Sequence, residues 1–187
     1  MAGADGTSSM TLVGYRARNH PQQVSRRGPR PEIDERGTDP QLFAELHSRF
    51  QFTLDVCATA ENAVLPRYYS PAADGLEQTW SLERVWCNPP YSGIGSWVAK
   101  AVWEAVTCPV IVMLVPANRT EQSWWQREIE PVRDGRHPSG PRVEFLPGRP
   151  RFVNLGKPGI GPNERPPFGC CLLIWECQNW TGGQRWD

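Results

Sequence analysis

The sequence predicts an α/β fold, a doubly wound sheet with helices on both faces. Three observations predict it. Short apolar runs with strand character alternate with segments of helical periodicity. The run "CPVIVMLVPA" (108–117) is apolar throughout, the pattern of a strand covered on both faces of a parallel sheet. Residues 142–153 read as two short strands about a Pro-Gly turn, a hairpin-like end. A chain of 187 residues suffices for one domain with a full core, and it contains no internal repeat.

The elements follow in order. In "GTDPQLFAELHSRF", Thr38 or Asp39 can cap a helix with Pro40 in its first turn, and Thr38 and Gln41 have capping-box spacing. Leu42, Phe43, Leu46 and Phe50 then recur at helical spacing. "FTLDVCA" (52–58) is a short buried strand holding one acid, Asp55. "PRYYS" (66–70) suggests a second short strand, and Asp74-Gly75 a turn. "RVWCN" (84–88) is a third strand. From Ile94, the positions Trp97, Val98, Ala101, Val102 and Ala105 mark one face of an amphipathic helix. Residues 118–141 suit a short helix and a loop, and 154–168 a Gly/Pro-rich loop. "GCCLLIWE" (169–176) is a final buried strand.

The formal net charge is zero, so global charge names no partner. Its distribution says more. Arg16, Arg18, Arg26, Arg27, Arg30 and Arg36 crowd the first 36 residues among prolines, with little apolar periodicity. Residues 1–35 therefore read as a poorly ordered basic arm, either a phosphate-contacting segment or a solvated tail. Residues 36–177 form the folded domain, and 178–187 a frayed tail. Six cysteines show no Cys-x-x-Cys pair and no His at metal-ligand spacing, so no metal is expected and reduced thiols are the default. No signal peptide or apolar span opens a membrane route, and a cytoplasmic location is expected.

The chemistry concentrates in "VWCNPPYSG" (85–93), a strand that runs into Asn88-Pro89-Pro90-Tyr91. In open α/β sheets, ligands bind beyond the carboxyl ends of strands. The prolines fix a rigid bend and remove two backbone donors. Asn88 offers an amide oxygen, Pro89 a carbonyl and Tyr91 a ring face. Together these suit the exocyclic amine of a planar base. Two acceptors gripping its hydrogens localise the nitrogen lone pair, and a neighbouring sulfonium can deliver a methyl group. Positioning and electrostatics carry such a step, and no strong general base is needed. A base within a duplex would have to be flipped out.

With these residues in view, the sequence resembles the phage-type DNA N6-adenine methyltransferases. The resemblance spans about residues 36–176. It rests on "TDPQLF", "FTLDVCATAENA", "RYYSPAADGLEQTW", "RVWCNPPYS", "VIVMLVPANRT", "FLPGRPRF" and "PPFGCCLLIW" in that order. It implies a Rossmann-like class I methyltransferase fold, mostly parallel with an antiparallel hairpin end, in which S-adenosyl-L-methionine donates methyl to adenine N6 in DNA. Asn88, Pro89, Pro90 and Tyr91 match the catalytic motif. Asp55 matches the acid beside the amino-acid part of the donor. Thr38, Asp39 and Pro40 match the segment that closes over the donor, and Asp74 the position that meets the donor's adenine.

The glycine-rich loop of most methyltransferases is replaced by "DVCATAEN", which leaves donor contacts there to other backbone groups or to Cys57, Ala58 and Thr59. Glu61 is the nearest acid to the expected end of a second strand. No separate target-recognition domain is expected within these residues, so Arg119, Trp124 and Arg149 are the candidates for DNA contact. A bacterial host cytoplasm and a monomer or weak dimer complete the expectation.

The same residues have plainer readings. Asp55 suits an acid tied to a helix N-terminus, and Asp74 an ordinary turn. Trp86, Trp97 and Trp103 suit the core, whereas at least one of Trp124 and Trp125 should be exposed. Competing functions are methylation of cytosine N4, where Ser commonly replaces Asn, or of a protein glutamine amide. A nucleic-acid-binding module with an inactive pocket is the third.

Overall fold

A computed structural model of the chain describes residues 37–150, 152–153 and 168–177. The expected basic arm, most of the 154–168 loop and the C-terminal tail lie outside the described residues. The elements are β1 (Gly37–Thr38), α1 (Pro40–Phe50), β2 (Leu54–Asp55), β3 (Arg84–Cys87), α2 (Ile94–Glu104), β4 (Val110–Pro116), β5 (Arg142–Phe145), β6 (Phe152–Val153) and β7 (Cys170–Glu176). A π-helical turn, Trp125–Ile129, lies between β4 and β5.

Five strands form one mixed sheet in the order β2-β3-β4-β7-β5. β2, β3 and β4 are mutually parallel, and β7 is antiparallel to both of its neighbours. Four of the five strands therefore point the same way, and β7 alone runs back.

Alternation along the central strands builds two cores. Ile111, Met113 and Val115 of β4, with Leu173 and Trp175 of β7, face Trp97, Val98 and Ala101 of α2. Val110, Val112 and Leu114, with Leu172 and Ile174, face Leu46 and Phe50 of α1. All seven residues of β4 are buried, which is why its sequence lacks polar alternation. Each large side chain so buried contributes roughly 1.5–3 kcal/mol of transfer free energy. The expected helices on both faces are thus present.

α1 starts where its sequence dictates. The Asp39 carboxylate accepts from the backbone N–H of Gln41 at 2.8 Å and of Leu42 at 3.4 Å, and Pro40 opens the first turn. Asp39 is therefore the cap. Thr38, the alternative, belongs to β1, so the Thr38–Gln41 capping box does not form. Gln51 closes the helix in the left-handed region.

Other expectations change. Residues 142–153 contain two strands but no hairpin. β5 pairs with β7, while β6 pairs with β1 in a separate two-stranded ribbon with Gly37 opposite Val153 and Thr38 opposite Phe152. "PRYYS" yields one bridge, Tyr68 to Asp55, rather than a strand. Trp86 and Trp97 are core residues, but Trp103 is 78% exposed because it lies off the apolar face of α2. Trp124 and Trp125, expected to show at least one exposed ring, are both buried and pack edge to face.

Candidate active site

The parallel register aligns the carboxyl ends of β2 and β3, with Asp55 opposite Trp86 and Asn88 immediately beyond. A cleft of about 280 Å³ opens there. Of the candidate residues, Thr38, Asp55, Cys57, Ala58, Thr59, Asp74, Asn88 and Pro90 line it. The structure thus gathers residues from four separate stretches of chain.

Asp55 is 2% exposed. Its carboxylate accepts from the backbone N–H of Cys57 and of Val64, each at 3.3 Å. Burial raises its pKa to about 6, against the lowering effect of those two donors. A buried, partly uncompensated carboxylate facing a cleft is suited to a cationic partner. Its plainer reading, an acid tied to a helix N-terminus, does not describe these contacts, because both donors lie in the loop after β2.

That loop is held to the sheet by backbone hydrogen bonds from Val56 to Trp86, from Ala58 to Tyr69 and from Tyr69 to Asp55. Thr59 and Asn62 form a small turn of their own, in which the Asn62 side-chain oxygen accepts from the Thr59 N–H at 2.6 Å. Cys57 and Ala58 follow Asp55 directly along the cleft wall, where a glycine-rich loop would otherwise run. Asp74 sits at φ 51°, and its carboxylate accepts from the Leu76 N–H at 3.1 Å, so it is both a turn residue and a cleft residue. Gly75 is required beside it: a Cβ there would lie 2.1 Å from the Val56 carbonyl oxygen.

Asn88 donates from its side-chain nitrogen to the Thr38 hydroxyl oxygen at 3.3 Å. The Pro90 carbonyl accepts from the Gly93 N–H at 3.1 Å, which closes the turn into α2 and does not use the Pro89 carbonyl. Pro89 is buried and does not line the cleft, and Tyr91 does not line it either. The Tyr91 ring instead packs edge-on to Phe152 at 6.2 Å and tilted to Phe168 at 6.0 Å. Its hydroxyl is buried with no partner of normal hydrogen-bond geometry. Burial, and the neighbouring Cys170, push the phenol well above its usual range. The Cys170 and Cys171 thiols are themselves pushed up by burial, to about 11 and about 12, so both remain protonated at neutral pH.

Asp39 and Pro40 flank Thr38 without lining the cleft. Glu61 is exposed and does not line it. Among the DNA-contact candidates, Trp124 is 6% exposed and belongs to the core, so it is not a surface contact. It packs over Gly95 at the start of α2, where even a Cβ would lie 3.4 Å away. Arg119 and Arg149 follow the carboxyl ends of β4 and β5, the end of the sheet that carries the cleft. Arg149 is exposed and Arg119 half-buried.

Sequence reasoning missed Tyr69, Ser70 and Gly75 as cleft residues and Phe152 and Phe168 as the neighbours of Tyr91. All five lie in stretches with a recognisable pattern, "RYYSPAADG", "RPRF" and "PPFG", but nothing local says what each would touch. Among the described residues no group of three metal-ligating side chains is present, and no helix is long and apolar enough to cross a membrane.

The fold and site define an α/β protein with a mixed sheet of the kind compatible with a methyltransferase, and a cleft at the carboxyl ends of its parallel strands. The family model described as DNA N-6-adenine-methyltransferase (Dam) matches residues 27–159, and the chain belongs to that family. Two curated relatives carry the name DNA N-6-adenine-methyltransferase. The one from Escherichia phage T1 is 29% identical, over 59% of this chain and 53% of its own length. The one from Haemophilus phage HP1 is 25% identical, over 56% of this chain and 60% of its own length. The chain thus spans little more than half the length of these relatives.

Proposed function

We propose that the protein transfers a methyl group from S-adenosylmethionine to the N6 amino group of adenine in DNA, on a Rossmann-like methyltransferase fold. The observation that carries this reading is the placing of Asn88 and Asp55 on one cleft at adjacent strand ends. Family membership and the names of the two phage relatives support the reaction and the substrate.

The residues present fit the donor. Asp55 is a buried carboxylate short of a cation, and the donor carries an ammonium group. Cys57, Ala58 and Asp74 border the same space. When bound, S-adenosylmethionine supplies a methyl group on a positively charged sulfur that departs as a neutral thioether.

The chain's own task is to hold the amine. The Asn88 side-chain oxygen accepts one of its hydrogens in the cleft and draws its lone pair out of the ring, and the Pro89 carbonyl, in a residue that does not itself line the cleft, is the candidate acceptor for the other. Pro89 and Pro90 keep those acceptors fixed, so little reorganisation accompanies the step. Once the nitrogen is alkylated its proton is acidic and passes to solvent, so no buried base is needed. Tyr91 does not line the cleft, and its ring, packed against Phe152 and Phe168, serves to hold the turn that carries Asn88. Arg119 and Arg149, in the loops after β4 and β5, are the candidate phosphate contacts.

The test is methylation of unmodified DNA with labelled donor, followed by sequencing that locates the modified bases. N6-methyladenine is the expected product. Methyl on cytosine N4, on a protein amide or on nothing would overturn the assignment. Asn88→Ala is expected to lower the transfer rate by at least about a hundredfold, while donor affinity by calorimetry changes little. Retained activity in that variant would remove Asn88 from the chemistry.

A further inference from the structure

A side-chain amide at a catalytic position has two nearly isosteric orientations, and only one presents the oxygen. Reversed, Asn88 would aim donor hydrogens at the hydrogens of the substrate amine. A substrate amine, which offers only hydrogens, itself favours the oxygen-forward orientation, but a second contact is needed to hold the amide plane in place. The Asn88 nitrogen lies 3.3 Å from the Thr38 hydroxyl oxygen, to which it donates. Bound by its nitrogen, a planar carboxamide presents its oxygen at the opposite corner.

Thr38 is well placed to do this. It is 5% exposed, one of few polar residues so buried among those described. Its backbone is pinned from two sides: it pairs with Phe152 in the ribbon, and the next residue, Asp39, caps α1. It lines the cleft together with Asn88, fifty positions away in sequence.

We propose that Thr38 is a positioning residue, whose hydroxyl, carried on the β1–β6 ribbon, anchors the Asn88 amide in one plane, while the substrate amine, which offers only hydrogens, draws the oxygen toward itself. This rests on the methyl-transfer reading above. It gives Thr38 a role in the rate of transfer beyond closing over the donor.

The experiment compares Thr38→Val, which keeps the shape and removes the hydroxyl, with Thr38→Ser, which keeps the hydroxyl. Single-turnover methylation of unmodified DNA at saturating donor should slow about tenfold in Thr38→Val, the effect of removing one hydrogen bond. Thr38→Ser should hold the wild-type rate, and donor affinity by calorimetry should be little changed in both.

A second readout does not depend on activity. In the ¹⁵N-labelled full chain, the Asn88 side-chain amide signal, assigned by its disappearance in Asn88→Ala, should exchange its hydrogens faster in Thr38→Val than in wild type or Thr38→Ser. Unchanged amide exchange in Thr38→Val would overturn the proposal, as would a wild-type rate or a defect confined to donor affinity. A wild-type protein that methylates no adenine would sink the functional reading instead, and amide exchange would still decide whether Thr38 anchors the Asn88 amide.

Discussion

Asp55 is almost wholly buried at the end of β2, and burial raises its pKa to about 6. Without a cationic partner the charged form opposes folding above about pH 6, and that cost is absent below the unfolded value near 3.8. A bound ammonium reverses the balance by favouring the carboxylate. Donor affinity should therefore be full above about pH 6 and fall about tenfold per unit below it, measured by calorimetry across pH. Asp55→Asn should bind weakly and lose that dependence. Tyr91 makes a second residue-scale test. Its hydroxyl is buried without a normal partner, so Tyr91→Phe should leave stability unchanged or raise it by up to about 1 kcal/mol. Tyr91→Ala should cost about 3 kcal/mol in denaturant unfolding and most of the activity, because it empties the space between Phe152 and Phe168. The tetrapeptide locates this site in the sequence. The environment of its aromatic ring is not legible there, because Phe152 and Phe168 lie more than sixty positions away.

At the scale of elements, periodicity locates α1, α2, β3, β4 and β7, each long enough to show a pattern. β1 and β6 have two residues each and no period to read, and the partners of β5 and β6 are set by distant strands rather than by the turn between them. The tryptophans depart from expectation for a different reason. Trp103 is out of phase with Ile94, Trp97, Val98 and Ala101, so helix phase outweighs the tendency of Trp to be buried. Trp124 sits in a polar stretch, yet it packs with Trp125 in the core and against Gly95 of α2. The loop between β2 and β3 depends on a far closer approach at Gly75, where a Cβ would lie 2.1 Å from the Val56 carbonyl oxygen. Gly75→Ala would push against the Val56 carbonyl oxygen and the Trp97 ring. It should destabilise the protein by about 1–3 kcal/mol in denaturant unfolding and weaken donor binding, since both Gly75 and Val56 line the cleft.

For the whole molecule, the topology brings the candidate residues to one end of the sheet. β2, β3, β4 and β5 all finish there, β7 begins there, and the loops that follow carry Asn88, Arg119 and Arg149. Neither Arg119 nor Arg149 lines the cleft, so the basic segment before β1 is the natural candidate for additional phosphate binding. Deleting residues 1–35 should flatten the salt dependence of DNA binding, the log–log slope falling by about 0.9 for each phosphate no longer neutralised. An unchanged slope in a binding titration at several salt concentrations would make the segment a passive tail.

The ribbon that carries Thr38 also dictates when the protein becomes competent. Gly37 and Val153 are more than a hundred residues apart, and a two-residue pairing has no independent stability. It can persist only after the central sheet has brought the two ends together. During refolding, fluorescence from the buried tryptophans should recover first, and catalytic turnover should lag behind it.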